Sequence, residues 1–232
     1  MEDNNSDSTS FSFDNPGFFP LKISAIILAY NEATRIGNVL DILSQVPCLL
    51  SIIVVDDGST EDTYQVFENY IEKDHHISLV RHPKNRGKEA AIYTTLKNCP
   101  SDTIYVLMLD ADLRCLKFEH VIELINPVLS SAVNMTRRLF VGGMWNTDFS
   151  HWLTPWLSGQ FCLRKHFFES LDWNATRGYG LETVITLTAK SMGYQIQDAQ
   201  LTGVSHPPSE FHYGLLKGTL NHIRMYSQIF SA

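Results

Sequence analysis

Short runs of branched, apolar residues that break off into polar loops, with helix-length amphipathic stretches between them, restrict this chain more than any other feature. Ile23-Ser-Ala-Ile-Ile-Leu28, Ser51-Ile-Ile-Val-Val55 and Thr103-Ile-Tyr-Val-Leu-Met-Leu109 are the clearest, and Ile77-Ser-Leu-Val80 is a shorter one. Strands apolar at almost every position belong where helices cover both faces of a parallel sheet. Ile36, Val39, Leu40, Leu43 and Val46 fall at helical spacing, with Pro47 as the expected stop. Thr60 with Glu61 and Asp62 reads as an acidic helix start ahead of the stripe Val66, Phe67, Tyr70 and Ile71, and a further helix is expected from about Lys88 to Leu96. Such alternation calls for an α/β fold with right-handed crossovers and ligands outside the carboxyl ends of the strands. The loops that matter are therefore Ala29 to Glu32, Asp56 to Thr60, Asn85 to Lys88 and Asp110 to Asp112.

Composition narrows the function classes. Eighteen Lys and Arg against 25 Asp and Glu leave a net charge of −7, with 44% hydrophobic residues. That is a globular chain long enough for a packed core, neither disordered nor collagen-like. An acidic balance without a long basic block argues against nucleic acid as a partner. Cys48, Cys99, Cys115 and Cys162 are scattered with no C-x-x-C pair and read as free thiols. The polar opening MEDNNSDSTS is unlike a secretory leader, and no apolar run reaches the roughly 18 residues of a membrane span, so a cytoplasmic protein with no transmembrane segment is expected.

The second half has a different texture, crowded with Trp145, Trp152, Trp156, Phe161, Phe167, Phe168 and Trp173. Gly178-Tyr-Gly-Leu-Glu182 leads into a helix carrying Val184, Leu187, Thr188 and Met192, closed by Gly193. Ile196 to Val204 reads as a last strand region before Ser205-His206-Pro207-Pro208, and an amphipathic helix is expected from Phe211. No internal repeat or Gly/Ser-rich linker divides the chain. The expected organisation is a flexible tail over residues 1–20 and one catalytic domain over 21–232, with a nucleotide-binding half to about 112 and an acceptor half from about 113.

Asp110 and Asp112, placed directly after a buried strand, carry the strongest chemical signal. Their carboxylates would repel each other unless a cation neutralised them, and hard oxygen donors suit Mg²⁺ or Mn²⁺. The competing explanation is a solvated acidic turn ahead of a helix starting at Lys117. The other three loops weigh against it, because each carries groups suited to a nucleotide: Asn31 and Glu32, Asp57 and Gly58, Arg86 and Lys88.

Leu28-Ala-Tyr-Asn-Glu32, Val55-Asp-Asp-Gly-Ser-Thr60, Asn85-Arg-Gly-Lys88 and Leu109-Asp-Ala-Asp112 together resemble the serial motifs of family-2-type GT-A glycosyltransferases, which use nucleotide-activated sugars. Ser158-Gly-Gln160, Gly178-Tyr-Gly-Leu-Glu182 and Val204-Ser-His206 resemble the corresponding parts of glucosyl-3-phosphoglycerate synthases and related small glucosyltransferases. The resemblance implies a GT-A fold, a Rossmann-like and mostly parallel sheet flanked by helices. It also implies that Ala29, Tyr30, Asn31 and Glu32 line the base and ribose pocket, and that Asp57 accepts the uracil imide hydrogen beside Gly58. Lys88 would neutralise the diphosphate, Asp110 and Ala111 would touch the donor, and Asp112 would bind the metal with His206 as second protein ligand. Gly159, Gln160 and Tyr179 fall in the acceptor region. Glu182 corresponds to a general base in inverting relatives and to a carboxylate that orients the sugar in retaining ones.

The expected activity is metal-dependent hexosyl transfer from a UDP- or GDP-sugar to an acceptor hydroxyl or phosphorylated acceptor, with Mn²⁺ or Mg²⁺ as cofactor. Arg137, Arg138 and Arg164 could serve a phosphorylated small acid, and the C-terminal helix could serve a lipid phosphate. Such a chain could also form a homodimer. Two alternatives differ in class: a nucleotide-sugar-binding regulatory protein without turnover, which the intact Asp110-Ala-Asp112 disfavours, and a nucleotidyltransferase, which would carry a Gly-rich, Arg-containing loop where this chain has Ala29-Tyr-Asn-Glu32.

Overall fold

Residues 22–60, 63–139, 159–173 and 181–205 are described by the computed structural model. The chain runs through β1 (Ile23–Ala29), α1 (Ile36–Leu43), β2 (Leu49–Asp56), α2 (Thr63–Lys73), β3 (Ile77–Arg81), α3 (Lys88–Asn98), β4 (Tyr105–Asp110) and α4 (Phe118–Leu129). Then follow β5 (Met135–Arg138), β6 (Phe161–Arg164), a 3₁₀ helix (Lys165–Ser170), α5 (Leu181–Ser191) and β7 (Ile196–Ala199).

Within the described residues the strands form one sheet in the order β3-β2-β1-β4-β6-β5-β7. The four pairings β1 with β2, β1 with β4, β2 with β3 and β5 with β7 are parallel, and β6 runs antiparallel between β4 and β5. The expected α/β sheet is thus present and mostly parallel, with one reversed strand that the sequence pattern did not suggest.

Alternation along the strands builds two cores. Ile23, Ala25, Ile27, Ile52, Val54, Leu107 and Leu109 face α1, α2 and α4, while Ile26, Ile53, Val106, Met108, Phe161 and Leu163 face α3, the 3₁₀ helix and α5. Both sets are almost wholly buried, which explains the unbroken apolar runs. From β1 the strand order moves outward through β2 to β3, then returns to place β4 on the other side of β1. The gap between the ends of β1 and β4 is therefore a switch point, the usual ligand crevice of an open α/β sheet. Because β6 opposes β4 and β5, the end of β5 and the start of β6 reach this same edge.

Several local expectations are corrected. Helix α1 ends at Leu43, with turn bonds from Gln45 and Val46 to Ile42 and Leu43, so Pro47 lies beyond the end rather than causing it. Of the residues expected on α5, Val184 is buried while Leu187 and Met192 are exposed, and Leu181, Ile185, Thr186 and Ala189 complete the buried face. Strand β7 stops at Ala199, and Val204 lies in a turn. The tail, Glu61 and Asp62, Trp145, Trp152, Trp156, Tyr179, His206 and the expected C-terminal helix lie outside the described residues.

Candidate active site

Three polar loops leave the carboxyl ends of adjacent strands and are stitched together there. After β1, Asn31 turns with φ 57°, its N–H donates to Ser59 Oγ at 2.9 Å, and its Oδ1 accepts from Thr60 N at 2.9 Å. Glu32 is nearly buried, pairs with Arg35 at 2.7 Å, and its carbonyl accepts from the Arg35 and Ile36 N–H groups that open α1. After β2, Asp56 accepts from Ser59 N and Oγ at 2.9 and 2.5 Å and pairs with Arg81 at 3.2 Å.

Asp57 is buried and faces its own protein. Its carboxylate accepts from Arg86 N at 3.0 Å and Gly87 N at 2.8 Å, with His82 Nδ1 2.6 Å away. An ionised carboxylate only accepts, so the imidazole proton sits on Nδ1, leaving Nε2 for Thr94 Oγ1 at 2.9 Å. These bonds shape the loop that delivers Lys88 to the start of α3. Gly58 has φ 77°, and a side chain there would overlap the Lys84–Asn85 backbone, so glycine lets the two loops touch. His82 was not singled out by the sequence, where it is one histidine among nine.

At the switch point Lys88 Nζ lies 2.5 Å from Glu182 Oε1 and 3.4 Å from Asp110 Oδ1. Burial opposes the lysine charge, but the two carboxylates outweigh it and raise its pKa above the usual lysine range. Burial likewise works against Glu182, but the Lys88 charge prevails and holds that carboxyl below the usual glutamate range. Gln160 Nε2 donates to Asp110 Oδ2, and the Gly159 backbone lies against the same carboxylate. Arg138, 3% exposed, donates from Nη1 to Gln160 Oε1 at 3.2 Å and from Nη2 to the Val204 carbonyl. Burial pushes its pKa down to about 10, opposed by the nearby charges of Asp110 and Asp112, so it stays charged at neutral pH.

The structure thus gathers Asp110, Lys88, Gly159, Gln160 and Glu182 around one point and brings Arg138 beside Asp110 and Asp112. Ala111 is buried between the two aspartates. Ala29 is buried beneath the crevice, its carbonyl accepting from Asp57 N, and Tyr30 is half-buried after it. Of the arginines considered for an acceptor phosphate, Arg137 pairs with Asp198 at 2.6 Å, Arg138 is engaged as above, and Arg164 lies over the Tyr105 ring. Among the described residues no three His, Cys, Asp or Glu side chains cluster as a complete metal site, and His206 lies outside them.

This mostly parallel sheet flanked by helices, with its polar, acidic crevice at the switch point, is the GT-A fold of glycosyltransferases. The family model described as glycosyl transferase family 2 matches residues 24–180, well over half of the chain, and the chain belongs to that family. It is 38% identical over 96 residues to a dolichyl-phosphate beta-glucosyltransferase of Trichomonas vaginalis, a match covering 38% of this chain and 28% of that protein. The first curated relatives are spanned for only about a third of their length. Glucosyl-3-phosphoglycerate synthase of Mycobacterium tuberculosis, solved with Mn²⁺, UDP-glucose and phosphoglyceric acid, has 21% identity and a TM-score of 0.65 over 94% of this chain and 86% of that one. A mannosyltransferase of Pyrobaculum calidifontis, solved with GDP-mannose and Mn²⁺, has 17% identity and a TM-score of 0.68 over 92% of this chain and 65% of that one. These two structures share the fold. Within the described residues no helix is long and apolar enough to cross a membrane.

Proposed function

We propose that this chain transfers a hexosyl group from a UDP- or GDP-sugar to an acceptor hydroxyl, with Mn²⁺ or Mg²⁺ as cofactor. The observation that carries the reading is the convergence of Asp110, Lys88 and Glu182 at the switch point of the sheet. Asp110 and Asp112 offer hard oxygen donors, and that donor chemistry fits a divalent ion. Asp112 would hold the metal, with His206 joining from outside the described residues. When bound, such an ion supplies Lewis-acid stabilisation of the diphosphate leaving group.

The protein's own groups would do the rest. Ala29 to Glu32 and the Asp57–Gly58 turn would frame the nucleoside, with Asp57 fixing the phosphate-side loop while a base edge shares its remaining acceptor capacity. Lys88, at the N-terminus of α3, would take the diphosphate. As the sugar C1–oxygen bond breaks, its electron pair leaves with the diphosphate and the acceptor oxygen bonds to C1. Once Lys88 turns to the diphosphate, Glu182 loses its paired charge and becomes more basic, ready to take the acceptor proton. Gly159, Gln160 and Tyr179 belong to the acceptor side. A phosphorylated acceptor suits the relatives, one acting on dolichyl phosphate and one solved with phosphoglyceric acid. Buried thiols at Cys48, Cys99 and Cys162 suit the reducing cytoplasm.

A panel of nucleotide sugars, screened for Mn²⁺-dependent turnover and thermal stabilisation, tests the reading, with Asp112→Ala expected to lose metal-dependent turnover. Stabilisation without turnover on any acceptor would favour the binding-protein alternative. No response to any donor would refute the proposal.

A further inference from the structure

We propose that Arg138 is a positioning residue for this site, acting through Gln160 to hold the Asp110 carboxylate in place. The inference rests on the glycosyl-transfer reading above. Three observations support it. The backbone N–H of Arg138 donates to the Gln160 carbonyl at 3.0 Å while its Nη1 donates to the Gln160 side chain, so the last residue of β5 and the residue before β6 are locked twice. With its amide oxygen held by the guanidinium, the Gln160 side chain presents its NH₂ to Asp110 Oδ2. The other arm of Arg138 holds the Val204 carbonyl, and the adjacent Ser205 forms an antiparallel bridge with Arg114, two residues beyond Asp112. One buried fork thus registers three separated segments around the aspartates. Lysine cannot reproduce this, because a single ammonium lacks the planar, divergent donors.

The test uses the full chain in the transfer assay, with thermal melting and calorimetric binding of UDP in Mn²⁺ as parallel readouts. Arg138→Met and Gln160→Leu are each expected to lower kcat by about 10- to 100-fold, with donor KM within about two-fold in both and acceptor KM within about two-fold in Arg138→Met. The double variant should be no slower than the slower single one, because both interrupt the same linkage. Losses that multiply in the double variant would overturn the proposal. So would a raised acceptor KM at unchanged kcat, which would make Arg138 an acceptor-anion ligand, or variants as active as wild type. Should Arg138→Met fail to fold, Arg138→Lys, which keeps the charge, carries the same comparison with Gln160→Leu. A wild type that neither transfers sugar nor binds UDP with Mn²⁺ would defeat the functional reading itself, and this role with it.

Discussion

Gly159→Ala tests the site by adding one carbon. A Cβ at this position would lie 2.5 Å from Asp110 Oδ2, 2.8 Å from Oδ1 and 3.0 Å from the carboxyl carbon. Ordinary contact begins near 3.4 Å, so Asp110 must retreat by about 1 Å or β6 must lift away. Gly159 is not among the glycines with positive φ, and alanine therefore meets no backbone strain. The cost falls on the contact itself, about 1 to 3 kcal/mol of overpacking. At about 2 to 4 °C in melting temperature per kcal/mol for a chain of this size, the loss is measurable while the protein stays folded. Turnover should suffer more, because a misplacement of about 1 Å in a positioned group can cost about 100-fold in rate. Steady-state kinetics with the best nucleotide sugar, run beside differential scanning calorimetry, separates the two effects. A variant within two-fold of wild-type kcat would refute the idea that the position of Asp110 governs the reaction.

Two further outcomes follow from the charges around the crevice. Asp57→Ala strips the acceptor from the Arg86 and Gly87 N–H groups and from His82, and should lower stability by about 2 to 4 kcal/mol in urea unfolding while weakening nucleotide binding; a loss below 1 kcal/mol would show that the loop stands without it. Glu182 has a depressed folded-state pKa, so its contribution is complete above the ordinary glutamate value of about 4.3 and drains away as pH falls through the folded value. Stability measured from pH 7 down to 3 should therefore show wild type and Glu182→Gln converging in acid, and a constant gap would remove the Lys88 pairing as its source.

Strands β1, β2 and β4 were legible because burial on both faces writes itself into sequence as runs of Ile, Val and Leu, whereas β3, at the sheet edge and half-exposed, left only the short run Ile77-Ser-Leu-Val80. Strands β5 and β6 were not, since Met-Thr-Arg-Arg buries two arginines whose partners Asp198 and Val204 lie far along the chain, and Phe-Cys-Leu-Arg is a short run ending in an exposed arginine. The pairing of Lys88 with Glu182 spans 94 residues, which no local pattern encodes. Asp110 and Lys88 were nevertheless picked out, because motifs in the loops at strand ends announce themselves once a parallel sheet is recognised, and Glu182 by the glycine-flanked stretch that opens α5 and its resemblance to family members. His82 had only its position as a signal. It follows β3 as Asp57 follows β2, but the register that pairs Asp56 with Arg81 and brings His82 to Asp57 shows only in the structure. Of the crowded aromatics in the second half, Phe161, Phe167 and Phe168 are core residues.

The reversal of β6 carries a consequence for register. Residues 140–158 depart from Arg138 and return to Gln160, the two positions locked to each other beside Asp110. That lock ties the two ends of the interval, so a change in its length need not shift the register of β5 on β6.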